Sequence, residues 1–183
     1  MLKPFEIRTP LNIQTCAGLN AGDCVLLSGR VYTGRDEAHR RLFDALGRGE
    51  TLPINLRDEV MFYAAPTPAR PGQIIGSIGP TTSGRMDIFT PRLLEAGLRG
   101  MIGKGRRSPE VIEAILKHQA VYFGAIGGVA AMTARCIKKA TTAAYDDLGP
   151  EAILRLEVLD LPLVVINDAR GGDLYQMASQ RDL

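Results

Sequence analysis

The sequence predicts an α/β fold in which short buried strands alternate with helices. Three observations favour this class. Short apolar runs recur along the chain and are bounded by glycine, proline and polar residues. Several of these runs are followed by helix-start signals, with a Ser, Thr or Asp ahead of residues in helical periodicity. The 20 glycines and 11 prolines indicate many tight turns and close backbone contacts, which argues against a helical bundle.

Length and charge limit the class of protein. We interpret residues 1–183 as a single domain, because 183 residues suffice for one substantial core. The net charge of +2 gives no reason to expect a nucleic-acid or membrane partner. Residues 1–14 lack the apolar core of a signal peptide, and no apolar run approaches the roughly 20 residues that span a bilayer. We therefore expect a soluble protein.

The three cysteines are Cys16, Cys24 and Cys136. Their odd number and the absence of a CxxC spacing indicate neither a disulfide framework nor a zinc site. Free cysteines of this kind fit a reducing compartment best. We predict a cytoplasmic protein whose own side chains bind no metal.

The first half of the chain contains four predicted strands. Residues 1–24 are expected to form an extended edge strand and a connecting segment, because prolines interrupt an alternating pattern. Residues 24–32 follow as a buried strand, and a helix is predicted to begin by Asp36. Two further strands are predicted at 59–65 and 73–78, separated by a proline-rich turn.

The second half continues the alternation. Helices are predicted near Thr90–Ala96 and after Ser108-Pro109, where a Ser cap precedes a proline at the first helical position. A small-residue helix is predicted to open at Gly124 and to run past Cys136. The remaining predicted elements are strands at 99–105, 120–123, 153–158 and 162–167, a turn at 168–173, and a disordered or docked C-terminus.

The segment 79–85, Gly-Pro-Thr-Thr-Ser-Gly-Arg, is the strongest candidate for chemistry. Its glycines allow the backbone to approach a ligand closely, and Arg85 offers a planar fork that matches a carboxylate or phosphate. From these residues alone, a capped helix start with a solvated arginine is an equally good interpretation. The sequence therefore marks a site candidate without deciding its role.

Other candidate residues also follow predicted strands. Arg35 and Asp36 stand at a helix start, where a local cap and ion pair is the alternative to a binding role. His39 lies four residues after Arg35, and we favour a role in supporting that arginine. Lys104, between two glycines, either reaches a ligand or is simply solvated.

Two glycine-rich segments superficially suggest nucleotide binding. Lys104 is followed by Gly105 rather than by Ser or Thr, so the phosphate-loop pattern is absent. Residues 124–128 lack the GxGxxG spacing of the dinucleotide fingerprint. A glycine-rich helix start packed on a neighbour is the better interpretation of residues 124–128.

Taken in order, five blocks carry a family resemblance: TGRDEAH at 33–39, APTP at 65–68, GPTTSGRMD at 79–87, GKG at 103–105 and FGAIGG at 123–128. With these blocks the chain resembles the β subunit of iron–sulfur hydro-lyases, the class I fumarase and L-tartrate dehydratase family. The resemblance covers nearly the whole chain, and the 79–87 block is its most specific part. It implies a swivelling β/β/α domain with three layers and a mostly parallel central sheet.

The resemblance also implies an activity and a division of labour. The activity is reversible addition of water to the double bond of a small dicarboxylate at a [4Fe–4S] cluster that is ligated by a partner α subunit. The partner and this chain would form a hetero-oligomer of the α2β2 type. The three cysteines of this chain would then be structural.

The same resemblance implies functional roles for individual residues of this chain. Arg35, Arg85 and Lys104 are expected to bind the substrate carboxylates and to serve catalysis, and Thr81 is expected to act on the carbon-bound proton. Thr82 is an additional substrate-binding residue and the alternative for the proton. Asp36 and His39 would support the arginines. Arg106 and Arg107, by contrast, are expected to be an exposed pair with little effect.

Two classes of function remain open at this stage. The first is an enzyme subunit, most simply acting between fumarate and (S)-malate, with L-tartrate dehydratase as the alternative. The second is a non-catalytic module that binds carboxylates or a partner protein. A threonine beside three cations favours the enzyme, because binding a dianion requires the cations but not the threonine.

Overall fold

The structure is a computed structural model that describes residues 3–125 and 130–180. Within these ranges seven strands form one hydrogen-bonded sheet. They are β1 Phe5–Arg8, β2 Cys24–Thr33, β3 Val60–Phe62, β4 Gly100–Gly103, β5 Val121–Ala125, β6 Ile137–Ala144 and β7 Ile153–Asn167. The α-helices are α1 Ile13–Ala17, α2 Asp36–Gly47, α3 Thr90–Glu95, α4 Pro109–His118, α5 Ala130–Cys136 and α6 Leu174–Ser179, and two 3₁₀ turns cover Ser83–Met86 and Asp146–Glu151.

The sheet is mostly parallel and closes on itself. Strands β1 to β5 pair in chain order, each parallel to the next. The long strand β7 runs antiparallel to both β5 and β2, which joins β2, β3, β4, β5 and β7 into a five-stranded, barrel-like ring. Strand β1 extends from β2, and β6 pairs with β7. The α/β class is thereby confirmed, whereas the swivelling three-layer arrangement stays a prediction.

Side chains on alternate positions of the strands divide between two buried clusters. Ile102 and Phe123 belong to one cluster together with side chains of β2 and β7. Met101 and Tyr122, their neighbours in sequence, belong to the second cluster, which also contains side chains of α2, α3 and α4. Because successive strand residues point to opposite faces, the sheet has one face packed on itself and the other packed on helices.

Local sequence signals located several elements correctly. The Ser108 side chain accepts a hydrogen bond from the Val111 N–H, and Pro109 is the first residue of α4. Gly97, just after α3, has a φ of +107°, a conformation that glycine adopts without strain. The predicted start of α2 at Asp36 is also confirmed. These signals work because they depend on residues a few positions apart.

Four predictions of secondary structure were wrong. Residues 73–78 form no strand; the facing segment carries prolines at 66, 68 and 71, which lack the N–H groups that a ladder needs. The helix predicted to pass Cys136 ends there, and β6 begins at the next residue because it pairs with β7. The strands predicted at 153–158 and 162–167 are one strand that bends at Asp160. In the N-terminal segment 1–24 the predicted edge strand is confirmed as β1, but the connecting segment contains the unpredicted helix α1.

Two other predictions concern segments that lie partly outside the described residues. The small-residue helix was predicted to open at Gly124, but Gly124 belongs to β5 and residues 126–129 lie outside the described ranges. Residues 181–183 at the C-terminus lie outside them too, while α6 precedes them as a helix that the sequence analysis did not identify. In the parts of the chain that are described, no helix is long and apolar enough to cross a membrane.

Candidate active site

The segment 81–87, which we call the site turn, lies across the carboxyl ends of β3 and β4. The Thr81 N–H donates to the Tyr63 carbonyl just after β3, over 2.6 Å. The Ser83 N–H donates to the carbonyl of Lys104 just after β4, over 2.9 Å. Thr82 and Lys104 form an isolated parallel bridge. The pairing brings Thr81, Thr82, Arg85 and Lys104 to the sheet edge where ligands bind in α/β proteins.

Arg35 reaches the same edge from the neighbouring strand. It follows β2, and the N–H of Gly34 donates to the carbonyl of Phe62 at the end of β3, over 3.0 Å. A Cβ at position 34 would overlap the Met61 sulfur, so the close approach of these two strand ends requires glycine. Arg35 is the N-cap residue of α2 but makes no side-chain capping bond. A guanidinium has no acceptor atom with which to cap the helix, and this one pairs with carboxylates instead.

Asp36 joins the two predicted substrate arginines. Its Oδ1 accepts a hydrogen bond of 2.8 Å from Arg85 Nε, and its Oδ2 lies 3.8 Å from an Arg35 nitrogen. Glu151 lies 3.4 Å from the other terminal nitrogen of Arg35. The Arg35–Asp36 contact is therefore not a purely local ion pair. Asp36 bridges two arginines that are 50 positions apart in sequence. One carboxylate holds two guanidinium groups close together against their mutual repulsion.

The contacts of this bridge leave polar atoms open. Arg35 Nε and Asp36 Oδ2 are buried and have no hydrogen-bond partner within residues 3–125 and 130–180. The side chain of Arg85 is half exposed, and its bond to Asp36 uses only Nε. Buried polar atoms without partners are costly and are often completed by a ligand or water. Arg35 Nε–H and the terminal nitrogens of Arg85 are donors that suit an oxygen-rich anion, whereas Asp36 Oδ2 is an acceptor and requires a donor instead.

Thr81 and Lys104 are also available to a ligand. The Thr81 hydroxyl makes no hydrogen bond to any residue in the described ranges, and Lys104 makes no ion pair there. Thr81 is half-buried, whereas Thr82 and Lys104 are exposed. The geometry therefore gives Thr81 the more enclosed position of the two adjacent threonines.

His39 lies beneath Arg35 as a fully buried neutral ring. Its Nδ1 is 2.9 Å from the Arg35 carbonyl oxygen, and because a carbonyl only accepts, Nδ1 carries the hydrogen. Burial lowers the pKa of His39 to about 4, with the nearby Arg107 charge acting in the same direction. Its ring meets Tyr63 edge-on at 5.0 Å. These contacts fit the predicted supporting role, in which His39 holds the backbone of Arg35 without exchanging protons near neutral pH.

The prediction that Arg106 and Arg107 form an exposed pair was wrong for Arg107. Arg106 is exposed, but the Arg107 side chain is completely buried under the site turn. It donates to Asp87 Oδ1 over 2.7 Å and to Thr90 Oγ1 over 2.9 Å. Nothing in the local sequence separates two adjacent arginines. The polar ends of Tyr63 and Tyr122 in apolar runs were a weak signal of a buried polar network.

The cysteines do not fit a cluster site. Cys16 is buried, Cys24 is exposed and Cys136 is partly buried, and they belong to three different elements. Burial raises the pKa of Cys16 to about 12, which disfavours the thiolate that a metal requires. Throughout residues 3–125 and 130–180, no three side chains of His, Cys, Asp or Glu lie together as a metal site would need. The chain's own residues therefore do not match the ligand set of an iron–sulfur cluster.

A cleft of about 660 Å³ lies elsewhere on the surface. It is bounded by residues 67–77 and by the end of α5 with the start of β6, and Arg70, Arg135 and Lys138 line it. None of the predicted site residues lines this cleft. Thr82, Gly84 and Arg85 of the site turn are exposed.

The sequence of this chain is similar to a family model and to several known proteins. The family model described as Fumarase C-terminus matches residues 3–178. A class I aerobic fumarate hydratase of Escherichia coli is 41% identical over 152 residues, which cover 82% of this chain and 28% of that protein. A protein of Leishmania major named Fumarate hydratase 2 is 38% identical over 156 residues, covering 84% of this chain and 28% of that protein.

A shorter relative has nearly the same extent as this chain. In Methanocaldococcus jannaschii, a protein named as a tartrate dehydratase beta subunit is 34% identical over 169 residues, covering 89% of this chain and 87% of that protein. The chain thus spans little more than a quarter of the fumarate hydratases it matches, but almost all of a separate subunit. With its family model covering residues 3–178, the chain belongs to the Fumarase C-terminus family.

Proposed function

We propose that this chain is the β part of an iron–sulfur dependent hydro-lyase that adds water to, or removes it from, a small dicarboxylate. Fumarate and (S)-malate are the favoured pair. The observation that carries the proposal is the Arg35–Asp36–Arg85 bridge, at the sheet edge that also carries Thr81 and Lys104. Names of relatives that cover most of this chain support the reaction class.

The charges suit a dianion. Arg35, Arg85 and Lys104 supply three positive charges, which Asp36 and Glu151 offset only in part. Guanidinium forks bind carboxylates through two parallel hydrogen bonds, and rigid strand ends hold such forks in place. A substrate carboxylate can replace Glu151 on Arg35, while Asp36 continues to hold the two arginines together. We propose Thr82 as a further donor to the substrate.

Thr81 is the proposed proton-transfer residue. Dehydration removes a carbon-bound proton, which the Thr81 oxygen would accept as an alkoxide, and hydration returns it. An alcohol is a poor base near neutral pH, so its pKa must be lowered strongly for this role. The positive charges of Arg85 and Lys104 favour the alkoxide, and a carboxylate of the partner would relay the proton.

The cluster belongs to the partner in this proposal, because the three cysteines here do not form a ligand set. When bound, it would supply an open iron that acts as a Lewis acid on the substrate. Assembly with an α chain in an α2β2 hetero-oligomer is the proposed state, and the swivelling β/β/α arrangement and the cytoplasmic location are part of the same proposal. The exposure of Thr82, Gly84 and Arg85 in the site turn is consistent with such a partner.

L-tartrate is the alternative substrate. It is supported by the tartrate dehydratase beta subunit of M. jannaschii, which has nearly the extent of this chain. Tartrate and malate present the same pair of carboxylates, so the cations that we place in the site do not distinguish them. A non-catalytic carboxylate-binding module is the third possibility. The Thr81 hydroxyl argues against the non-catalytic module, because the cations alone would suffice to bind a dicarboxylate, without a threonine beside them.

Reconstitution tests the proposal. Co-purification of this chain with its iron–sulfur partner, followed by parallel assays with fumarate, malate and tartrate, should give hydro-lyase activity with one substrate pair. The isolated chain, treated anaerobically with iron and sulfide, should give no [4Fe–4S] spectrum. A stable cluster on the isolated chain would overturn the proposed division of labour, and an inactive complex that binds dicarboxylates would favour the non-catalytic module.

A further inference from the structure

Arg107 forms the floor beneath the site turn. Its guanidinium lies over the rings of Tyr63 and Tyr122, with its carbon 5.3 Å and 4.9 Å from the two ring centres. These distances are those of cation–π contacts, which are stronger when water is excluded. The side chain is fully buried, so groups of the protein, and not water, surround its charge.

The same guanidinium fixes the segment that leaves the site turn. Arg107 Nε donates to Asp87 Oδ1, and the other oxygen of Asp87 accepts the Ser108 N–H over 2.6 Å. A terminal nitrogen of Arg107 donates to the Thr90 hydroxyl, which in turn donates to the carbonyl of Met86. Both oxygens of Asp87 are therefore engaged, which holds the C-terminal end of the turn in one position.

Tyr122 connects the floor to the start of the turn. Its hydroxyl donates to the Gly105 carbonyl and meets Ser83 Oγ, each over 2.9 Å. Burial raises the pKa of Tyr122, so the hydroxyl keeps the hydrogen that it donates. A Cβ on Gly103 would overlap the Ser83 hydroxyl, which shows how closely the turn is seated. Together, Arg107 and Tyr122 hold both ends of the segment that carries Arg85.

Burying the Arg107 charge costs desolvation free energy, and an apolar side chain could fill the same space without that cost. Replacing a buried ion pair with well-packed apolar residues is often neutral or stabilising, so stability alone gives little reason for Arg107. Unlike an apolar side chain, an arginine makes directional hydrogen bonds, and its planar fork fixes the positions of two acceptors at once. Here the two acceptors, Asp87 and Thr90, both border the site turn.

We propose that Arg107 is a positioning residue for the active site. It sets the angle of the site turn, and with it the directions in which Thr81 faces the carbon-bound proton and Arg85 faces a substrate carboxylate. The inference rests on the proposed function for its catalytic consequence. Its structural consequence, a site turn that loosens when the Arg107 fork is lost, can be measured without any activity.

The first experiment measures amide hydrogen exchange in the full chain. Arg107→Lys keeps the charge but loses the fork, and should accelerate exchange at the Ser83, Arg85 and Asp87 amides at least about tenfold. Arg106→Lys, one position away and exposed, is the matched control and should change none of them. If Arg107→Lys leaves the site turn unchanged, or accelerates the whole sheet equally, the positioning role is wrong.

A milder variant guards against misfolding. Tyr122→Phe keeps the ring over Arg107 and removes only the hydroxyl that meets Ser83. It should accelerate exchange at the Ser83 amide selectively. Wild-type exchange there would contradict the role of the floor even if Arg107→Lys failed to fold.

The second experiment uses the complex with the iron–sulfur partner. Arg107→Lys should lower kcat about tenfold or more and raise KM, whereas Arg106→Lys should change neither. A looser site turn with unchanged kinetics would overturn the positioning role. If the wild-type complex shows no hydro-lyase activity, the proposed function fails, and the exchange data still decide whether Arg107 holds the turn.

Discussion

Two arginine–aspartate pairs border the site turn, one on its outer side and one on its inner side. On the outer side, which carries Thr81 and Arg85, Arg85 binds Asp36 and is half exposed. On the inner side, where Ser83 and Met86 are buried, Arg107 binds Asp87 with no exposure of its guanidinium. The chemistry of the two pairs is the same, and only their surroundings differ.

The difference in burial between the two pairs gives the two sides of the turn different properties: the outer side can bind a ligand, and the inner side keeps the turn rigid. An exposed pair contributes about 0–1 kcal/mol to stability, so a substrate carboxylate can compete for its guanidinium at little cost. Removing one partner of a buried pair costs about 3–5 kcal/mol, because the other charge is left without compensation. The outer pair is therefore suited to exchange partners, and the inner pair to keep them.

The largest expected effect is on the outer side and concerns activity alone. Thr81→Val in the assembled enzyme should lower kcat by about 10²–10⁴-fold while substrate affinity and folding change little, because the variant keeps the shape but loses the proton acceptor. Thr81→Ser should keep part of the rate. Steady-state kinetics, with exchange of the carbon-bound hydrogen, measure the effect.

Thr82→Val is the matched control for Thr81→Val. Thr82 is the adjacent, more exposed threonine, and as a proposed donor to the substrate its replacement should raise KM while leaving most of kcat. The opposite result, loss in Thr82→Val and wild-type exchange in Thr81→Val, would transfer the proton-transfer role by one residue.

The inner side should respond through stability. Gly103→Ala places a methyl group against the Ser83 hydroxyl and 3.1 Å from the Tyr63 ring, and should lower the free energy of unfolding by about 1–3 kcal/mol. Gly84→Ala, on the exposed part of the same turn, meets no atom of the described residues within 4 Å and should be close to neutral. Chemical denaturation of the two variants makes the comparison, and equal stability would contradict the close seating of the turn.

His39 is a buried residue beneath Arg35, next to the inner side of the turn. It should make the stability of the protein depend on pH. Its pKa is lowered from 6.5 to about 4 by burial and by the Arg107 charge, with the Asp36 charge opposing the shift. Because the unfolded chain binds the proton more tightly, the contribution is complete above pH 6.5 and is lost as the pH falls toward 4. Between pH 7 and pH 5 the loss should be about 2 kcal/mol.

His39→Asn isolates this contribution. The amide can still donate to the Arg35 carbonyl but does not titrate, so stability between pH 7 and pH 5 should become nearly flat apart from other groups. His118→Asn is the control, since His118 is only partly buried. Denaturation curves at several pH values test the prediction, and an unchanged pH dependence in His39→Asn would exclude His39 as its source.

The smallest expected effect is a conservative change at Arg85. Arg85→Lys keeps the positive charge but loses the bidentate fork, and should raise KM for the dicarboxylate about tenfold with little change in stability. Arg106→Lys serves as the control on an exposed arginine outside the site. An unchanged KM in Arg85→Lys would move the carboxylate site elsewhere and remove the functional contrast between the two sides of the turn.

The sequence by itself determined the features that depend on near neighbours. The Ser108 cap, Pro109 at the first turn of α4 and Gly97 after α3 were predictable because capping involves residues only a few positions apart. The 79–87 block, together with four other blocks in order, predicted the family, and the family model confirms it. The roles of Thr81, Arg35, Arg85 and Lys104 stay predictions until the enzyme is assembled.

Only the tertiary structure decided which arginine is buried and which carboxylate it meets. Arg106 and Arg107 are neighbours in sequence, yet one is exposed and the other lies over two tyrosine rings, one just after β3 and one in β5. Asp36 meets Arg85 because β2 and the site turn converge at one sheet edge, and β7 closes the ring through partners more than 100 residues away. Such contacts depend on packing between distant segments, which local propensity does not encode.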